Sequence, residues 1–214
     1  MIIGLLGFAG SGKGTAADIL VSKGFKKESF ADPVKDAVAA IFSWERSLLE
    51  GDTEESRKFR ETKDEWWSRR FGYDVTPRYM LQLMGTEAGR DVFHDKLWIH
   101  AMESKIEKNE HTVIADARFE NECNFIRSKG GFIVRVVRGK EPKWYDSALK
   151  HNKNGGDEMK ENFPDIHYSE WAWIGQKLDY LLDNNGSVIM LEGGIKHMLK
   201  CFKGPDIMNT QMAN

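Results

Sequence analysis

Nine residues near the start of the chain, Gly7-Phe-Ala-Gly10-Ser11-Gly12-Lys13-Gly14-Thr15, constrain its fold more than any other stretch. They follow Ile2-Ile3-Gly4-Leu5-Leu6, a run too uniformly apolar for a surface strand and therefore expected to be a central parallel strand covered on both faces. They lead into a helical pattern from Thr15 to Ser22, closed by Gly24 in the place a helix C-terminus favours. A strand that turns through closely spaced glycines into a helix aims successive backbone N–H groups inward at the positive end of that helix. The turn becomes a nest for phosphate oxygens. Lys13 adds a movable full charge suited to β- and γ-phosphates. The same glycine string in isolation would mean little, and a strand-to-helix turn with no ligand is the less favoured alternative because both flanking elements are present.

Further along, Phe25 to Phe30 is expected as a short second strand, and Asp32-Pro33 has the cap-then-proline order of a helix start, with Val34, Val38 and Ile41 along the helix. From Ser47 to Arg70 the composition turns charged, with Trp66 and Trp67 the prominent apolar residues, so a helical flap of about 44–75 outside the sheet is expected. Thr76-Pro77 opens a helix bearing Met80, Leu81 and Met84, and Lys96 to Lys108 places Ile99, Met102 and Ile106 on a helical stripe.

His111 to Asp116 is a strand ending in an acid; helix follows from about Glu120 to Ser128, then strand from Gly131 to Val137. This βαβ unit puts Asp116 at the carboxyl edge of the sheet, where open parallel sheets bind ligands. Gly139 to Pro164 has little apolar content and is expected to be a long loop, a lid of about 139–166. Ser169-Glu170 can cap a helix through Gln176, Tyr180-Leu-Leu is a last strand, and Ser187 caps a terminal helix. The expected organisation is one α/β domain over 1–203, three-layered around a central parallel sheet, followed by a flexible tail at 204–214.

Composition removes several classes of function. With 31 basic and 33 acidic side chains there is no global field arguing for nucleic acid or an anionic membrane, so any polyanion site must be local. No apolar segment approaches the roughly 20 residues needed to span a bilayer, and Met1 to Ala9 lacks the basic leader of a signal peptide. A cytoplasmic protein is expected. Cys123 and Cys201 show neither metal-ligand nor redox spacing and are expected to be reduced core thiols.

The residue after Lys13 is Gly14, where the general P-loop carries the Ser or Thr that holds magnesium. Lys-Gly-Thr instead resembles the adenylate-kinase-type nucleoside monophosphate kinases, which implies a phosphate contact for Thr15 and leaves the protein ligand of Mg2+ unassigned. Gly10, Ser11, Gly12, Lys13, Gly14 and Thr15 are thus the expected ATP-binding residues.

The acceptor side carries a longer resemblance. Pro33-Val-Lys35-Asp36, Arg78-Tyr-Met-Leu-Gln82-Leu-Met-Gly85-Thr86 ending a helix in a Gly-Thr turn, Trp98, Ala115-Asp116-Ala-Arg118 with Glu122, His167-Tyr-Ser169-Glu170 and Asn184-Asn-Gly-Ser187 occur in that order. The ordered set, running from the P-loop to about Leu199, resembles the phage deoxynucleoside monophosphate kinases. Each short string is only moderately specific; the order is what is hard to obtain by chance. The resemblance implies that Lys35, Arg78, Gly85, Thr86, Trp98, Asp116, Arg118 and Glu122 line the monophosphate site. It implies small-molecule nucleotides as partners and breadth among deoxynucleotides; with the charge balance, neither nucleic acid nor membrane is expected as a partner, and a homodimer stays open.

Chemistry agrees with that assignment. Planar arginine forks such as Arg78 and Arg118 pair with a phosphate dianion in two-point fashion, whereas Asp116 and Glu122 must orient Arg118, bind sugar or base, or hold hydrated magnesium. Lys13, Arg78, Arg118 and Arg138, the last a candidate lid cation, are the expected catalytic charges. Taken singly, Arg78 could be a solvated helix residue, Glu122 an ordinary helix partner of Arg118, and Trp98 plain core. Two other functions stay open: a kinase with a hydroxyl acceptor, such as a dephospho-coenzyme A kinase with Asp116 as base, and a nucleotide-dependent binding module that docks a partner around Trp66-Trp67.

Overall fold

The structure, a computed structural model, describes residues 1–106 and 111–203, so the expected tail at 204–214 lies outside the described residues. In chain order the elements are β1 (Ile2–Leu6), α1 (Lys13–Val21), β2 (Lys26–Glu28), α2 (Asp32–Phe42), α3 (Glu54–Glu61), α4 (Glu65–Phe71), α5 (Pro77–Leu83), α6 (Leu97–Glu103), β3 (Thr112–Ile114), α7 (Glu120–Ser128), β4 (Phe132–Val137), α8 (Tyr145–Asn154), α9 (Glu158–Asn162), β5 (Tyr180–Asp183) and α10 (Val188–Lys203). They fall into two compact units, the described parts of Met1–Lys27 with Lys108–Asn214, and of Glu28–Glu107.

The first unit holds the sheet, in the order β2-β3-β1-β4-β5. β1 runs parallel to β3 and to β4, and β4 parallel to β5, with Leu6 opposite Arg135. All five residues of β1 are buried, as the apolar run requires of a central strand. Ile3 and Leu5 face one way, with Val113, Val134, Val136 and Leu182, onto Ala16, Ala17 and Leu20 of α1 and Leu191, Ile195 and Met198 of α10. Each fully buried side chain of this kind contributes roughly 1.5–3 kcal/mol. On the opposite face, Ile126 of α7 and Ile133 close over Gly4. Helices therefore cover both faces, and the unit is the three-layer α/β fold with a central parallel sheet that the sequence suggests.

Three local expectations in this unit are corrected. The segment after β4 is not a long loop: it forms α8 and α9, with Ala148 and Met159 buried and Asn152 Nδ2 donating to the carbonyls of Trp171 and Ile174 at 3.0 and 2.8 Å. Few apolar residues suffice here because the Phe8 ring, remote in sequence, packs edge-on against Trp144 and Tyr145 at the start of α8. Ser169-Glu170 does not start a helix to Gln176 either; Tyr168–Glu170 is a single 3-10 turn, after which Trp171, Ala172, Trp173 and Ile174 are all buried. A surface helix would expose part of that run, and burial on every side leaves no helical period to satisfy. Cys123 is buried as expected, but Cys201 is exposed on α10.

The second unit has its own core of Val38, Phe42, Leu49, Val75 and Met80. Val34, Val38 and Phe42 are the buried stripe of α2, and Ile41, expected on it, is 53% exposed. Phe42 stacks on Trp44 with ring centroids 4.5 Å apart and meets Trp67 edge-on at 4.8 Å. Asp64 ties this charged stretch down: Oδ1 caps α4 by accepting from the Trp66 and Trp67 amides, and Oδ2 accepts from Trp44 Nε1 at 2.8 Å. Thr76 caps α5 through the Tyr79 amide, as the Thr-Pro pair predicts. Gly85-Thr86, however, is not a turn that ends a helix. Met84–Phe93 continues α5 as a wider π-helical stretch, in which His94 N–H reaches Gly89 O five residues back and Trp98 Nε1 donates to Gly85 O at 2.8 Å. The indole lies so close to Gly89 that a Cβ there would stand 2.4 Å from it, so the wide helix and Trp98 pack together only with glycine at that position.

Candidate active site

β1 delivers the chain to Gly7, whose φ of 140° and close approach to Val136 O exclude a side chain: a Cβ would lie 2.5 Å from that carbonyl. Gly12 has φ 94° and packs on Asn184, whose Nδ2 donates to Ser11 O at 2.9 Å. Between these glycines the backbone curls over the start of α1, where Ala16 N–H makes the first helical bond to Gly12 O. Ser11 is buried with its hydroxyl unpartnered among the described residues, while Gly10, Gly14 and Thr15 are open to solvent.

Lys13 folds back over the loop, Nζ donating to the carbonyls of Gly7 at 2.7 Å and Phe8 at 2.9 Å. Burial is the main reason its pKa falls from 10.5 to about 8; the nearby Arg118 charge lowers it further, and Glu170 and Asp116 act in the opposite sense. A small opening to solvent lies here, lined by Gly7, Lys13, Arg118, Ser169, Glu170 and Trp173 among others.

Arg118 is held at both ends. Its backbone N–H and that of Phe119 donate to Glu122 Oε2 at 2.6 and 3.0 Å, so the buried Glu122 carboxylate closes the first turn of α7 at the helix's positive end. The Arg118 guanidinium donates to Glu170 Oε1 at 3.1 Å, with Ser169 O and Oγ at 3.4 and 3.5 Å. Ser169 is itself turned by His167, whose Nδ1 accepts from the Ser169 amide at 3.2 Å. The structure thus brings the phosphate loop, Asp116, Arg118 and Glu122 together at the carboxyl edge of the sheet. Arg138 stands exposed one residue beyond β4 at that edge.

The sequence placed Ser169-Glu170 at a helix start and assigned none of Ser169, Glu170, Trp173 or Asn184 to the site. Two of the strings quoted above contain Ser169, Glu170 and Asn184, but nothing local connects Glu170 to an arginine 52 residues earlier.

Lys35, Arg78, Gly85, Thr86 and Trp98 belong to the second unit. Lys35 Nζ bonds Glu50 at 2.6 Å and Asp32 at 3.4 Å, and Arg46 joins the same two carboxylates. Burial alone would raise the Glu50 carboxyl; the bonds from Lys35 and then Arg46 hold it below its usual range. Arg78 pairs with Glu61 at 3.0 Å and keeps about a third of its side chain exposed, while Trp98 is buried. Gly85 and Thr86 lie within the wide helix, where the Gly85 carbonyl accepts from Trp98 Nε1.

No family model matches the chain. An Acanthamoeba polyphaga mimivirus protein named as a deoxynucleotide monophosphate kinase is 36% identical over 155 residues, covering 64% of this chain and 74% of that protein. The Escherichia phage T5 deoxynucleoside-5'-monophosphate kinase is 28% identical, covering 59% and 72% respectively. Among solved structures, shikimate kinase from Aquifex aeolicus covers 95% of this chain and 97% of its own at 19% identity, with a TM-score of 0.43, a distant likeness. Among the described residues no helix is long and apolar enough to cross a membrane. At the level of identity and coverage shared with the mimivirus protein, the chain belongs to the deoxynucleotide monophosphate kinase family and is a phosphotransferase.

Proposed function

We propose that the protein transfers the γ-phosphoryl group of ATP to a deoxynucleoside monophosphate, giving the diphosphate. The observation that carries this reading is the cleft in which the Lys13 ammonium and the Arg118 guanidinium line one cavity beside the phosphate loop. An acceptor phosphate oxygen is already a nucleophile at neutral pH, so the reaction needs no general base. It attacks the γ-phosphorus as the bond to the β-phosphate oxygen breaks, and ADP leaves. Catalysis then consists of in-line positioning and charge neutralisation.

In this reading the amides of Gly10 to Thr15 and the Lys13 ammonium hold the donor. Lys35, Arg78, Gly85, Thr86, Trp98, Asp116 and Arg118 serve the acceptor, and Glu122 serves it by fixing the Arg118 backbone. Magnesium, when bound, supplies positive charge to the phosphate oxygens. It prefers oxygen ligands and usually keeps several waters. Among the described residues no group of three acidic, His or Cys side chains is placed to hold a metal ion; the Glu170 and Asp116 carboxylates, both near enough to Lys13 to act on its charge, and the exposed Thr15 hydroxyl are hard oxygen donors near the loop. We further assign residues 1–203 to one kinase domain with a flap at about 44–75 and a lid at about 139–166, where Arg138 would add a cation, and place its action in a cytoplasm.

The test is a direct assay with ATP against a panel of deoxynucleoside monophosphates, dephospho-coenzyme A, and water. Turnover confined to one or more monophosphates is the expected result. Phosphorylation of dephospho-coenzyme A alone would move the reading to a hydroxyl acceptor, and binding of ATP with no transfer would make the chain a nucleotide-dependent module.

A further inference from the structure

One buried charge takes no part in the phosphate contacts described above. Arg135, in the middle of β4, points away from Val134 and Val136 and is only 7% exposed. Its guanidinium pairs with Glu141 and donates to the Tyr145 hydroxyl at 3.2 Å, while its Nε has no partner among the described residues. Three rings surround it: the guanidinium carbon lies 5.7 Å from the centroid of Phe8, 5.2 Å from Tyr145 and 5.0 Å from Trp173. Phe8 in turn meets Trp173 at 5.0 Å and Trp144 at 5.4 Å, edge to face.

Phe8 belongs to the phosphate loop, and its carbonyl is one of the two that hold Lys13 Nζ. The residue after Arg135 presents the carbonyl against which Gly7, the other holder, is packed. A leucine or methionine would fill the same space without the desolvation that a guanidinium suffers. What the cation adds is direction. A charge attracted to the faces of three rings fixes how those rings stand, which plain apolar packing does only loosely.

We propose that Arg135, anchored by Glu141, is a positioning residue for the phosphate loop: through the Phe8 ring it sets the Gly7 and Phe8 backbone and so the affinity for a nucleoside triphosphate. This rests on the reading of Gly7 to Thr15 as the donor site. Calorimetric titration of the full chain with ATP separates positioning from mere stability, because a less stable protein loses binding stoichiometry whereas a misplaced loop loses affinity. For Arg135→Met the dissociation constant is expected to rise about 5- to 20-fold at unchanged stoichiometry. Arg135→Lys should recover part of the loss, and Glu141→Gln, at a half-exposed position, should shift it in the same direction by less. A wild-type dissociation constant in folded Arg135→Met overturns the proposal, as does a fall in stoichiometry alone. If Arg135→Met does not fold, Glu141→Gln and Phe8→Leu decide: wild-type affinity in both overturns it. Lys13→Ala, titrated alongside, tests the underlying reading separately, since unchanged ATP affinity and turnover there would remove the donor site itself.

Discussion

The Lys13 ammonium donates to the Gly7 carbonyl at 2.7 Å, so the backbone of the glycine-rich loop itself holds the cation at its end. That contact leaves Lys13 largely out of water, and burial, with the Arg118 charge adding to it, sets its pKa at about 8 instead of 10.5.

The consequence is a pH dependence with a definite sign. Free protein loses the Lys13 proton as pH rises through about 8, so kcat/KM for ATP should be flat below that pH and fall above it. In the saturated complex the triphosphate charge favours the ammonium, and the fall in kcat should come at higher pH. Because the folded pKa is lowered, the unfolded chain binds more protons between about 8 and 10.5; this group's contribution to stability therefore rises with pH across that window. Lys13→Met should accordingly melt higher than wild type at pH 7 while losing nearly all turnover. A kcat/KM profile flat to pH 10, measured in the wild type, would contradict the assignment.

Gly12→Ala and Gly10→Ala should separate two kinds of glycine requirement. Both have positive φ, which costs an alanine on the order of 1–2 kcal/mol. At Gly12 the new Cβ would also sit 2.1 Å from Asn184 Nδ2, displacing the amide that braces Ser11, whereas nothing lies within 4 Å at Gly10. Melting temperature and ATP titration should show the larger loss in Gly12→Ala; equal effects would mean that backbone strain alone matters.

Arg118→Ala and Arg78→Ala should weaken monophosphate binding far more than ATP binding. A charge-assisted bond to the acceptor phosphate contributes roughly 1.5–3 kcal/mol, or about 10- to 150-fold in affinity. Separate titrations with the two nucleotides measure this, and equal losses for both would place the arginines elsewhere. Glu170→Gln keeps the shape of the Arg118 partner but removes its charge. If that carboxylate competes with phosphate for Arg118, the variant should bind the monophosphate more tightly.

The two thiols should differ sharply. Burial, with the Glu122 charge adding to it, pushes the Cys123 thiol up to about 12, leaving it protonated and shielded, while Cys201 is exposed on α10. A thiol-exchange reagent should titrate one equivalent quickly in native protein and the second only on unfolding. Two fast equivalents would show that α7 opens readily.

What the sequence determined by itself is whatever a short stretch of chain settles locally. Four glycines and a lysine between an apolar strand and a helix already specify the tight strand-to-helix turn, because its conformation is set by consecutive residues. The bounds of α7 were likewise legible, since Glu120 to Ser128 carries its own period and its own acidic first turn. Tertiary structure decided everything whose partner is remote. The sparse apolar content after β4 gave no sign of α8, because the rings that pack on it come from Phe8, against Trp144 and Tyr145, and from Trp171, against His151. Gly85-Thr86 has the local signature of a turn, yet it continues a wide helix whose Gly85 carbonyl accepts from the Trp98 indole thirteen residues on. Arg118 was visible as a cation, but the Glu170 carboxylate that aims it lies 52 residues away, and no pattern along the chain records a separation that only the closing of the fold removes.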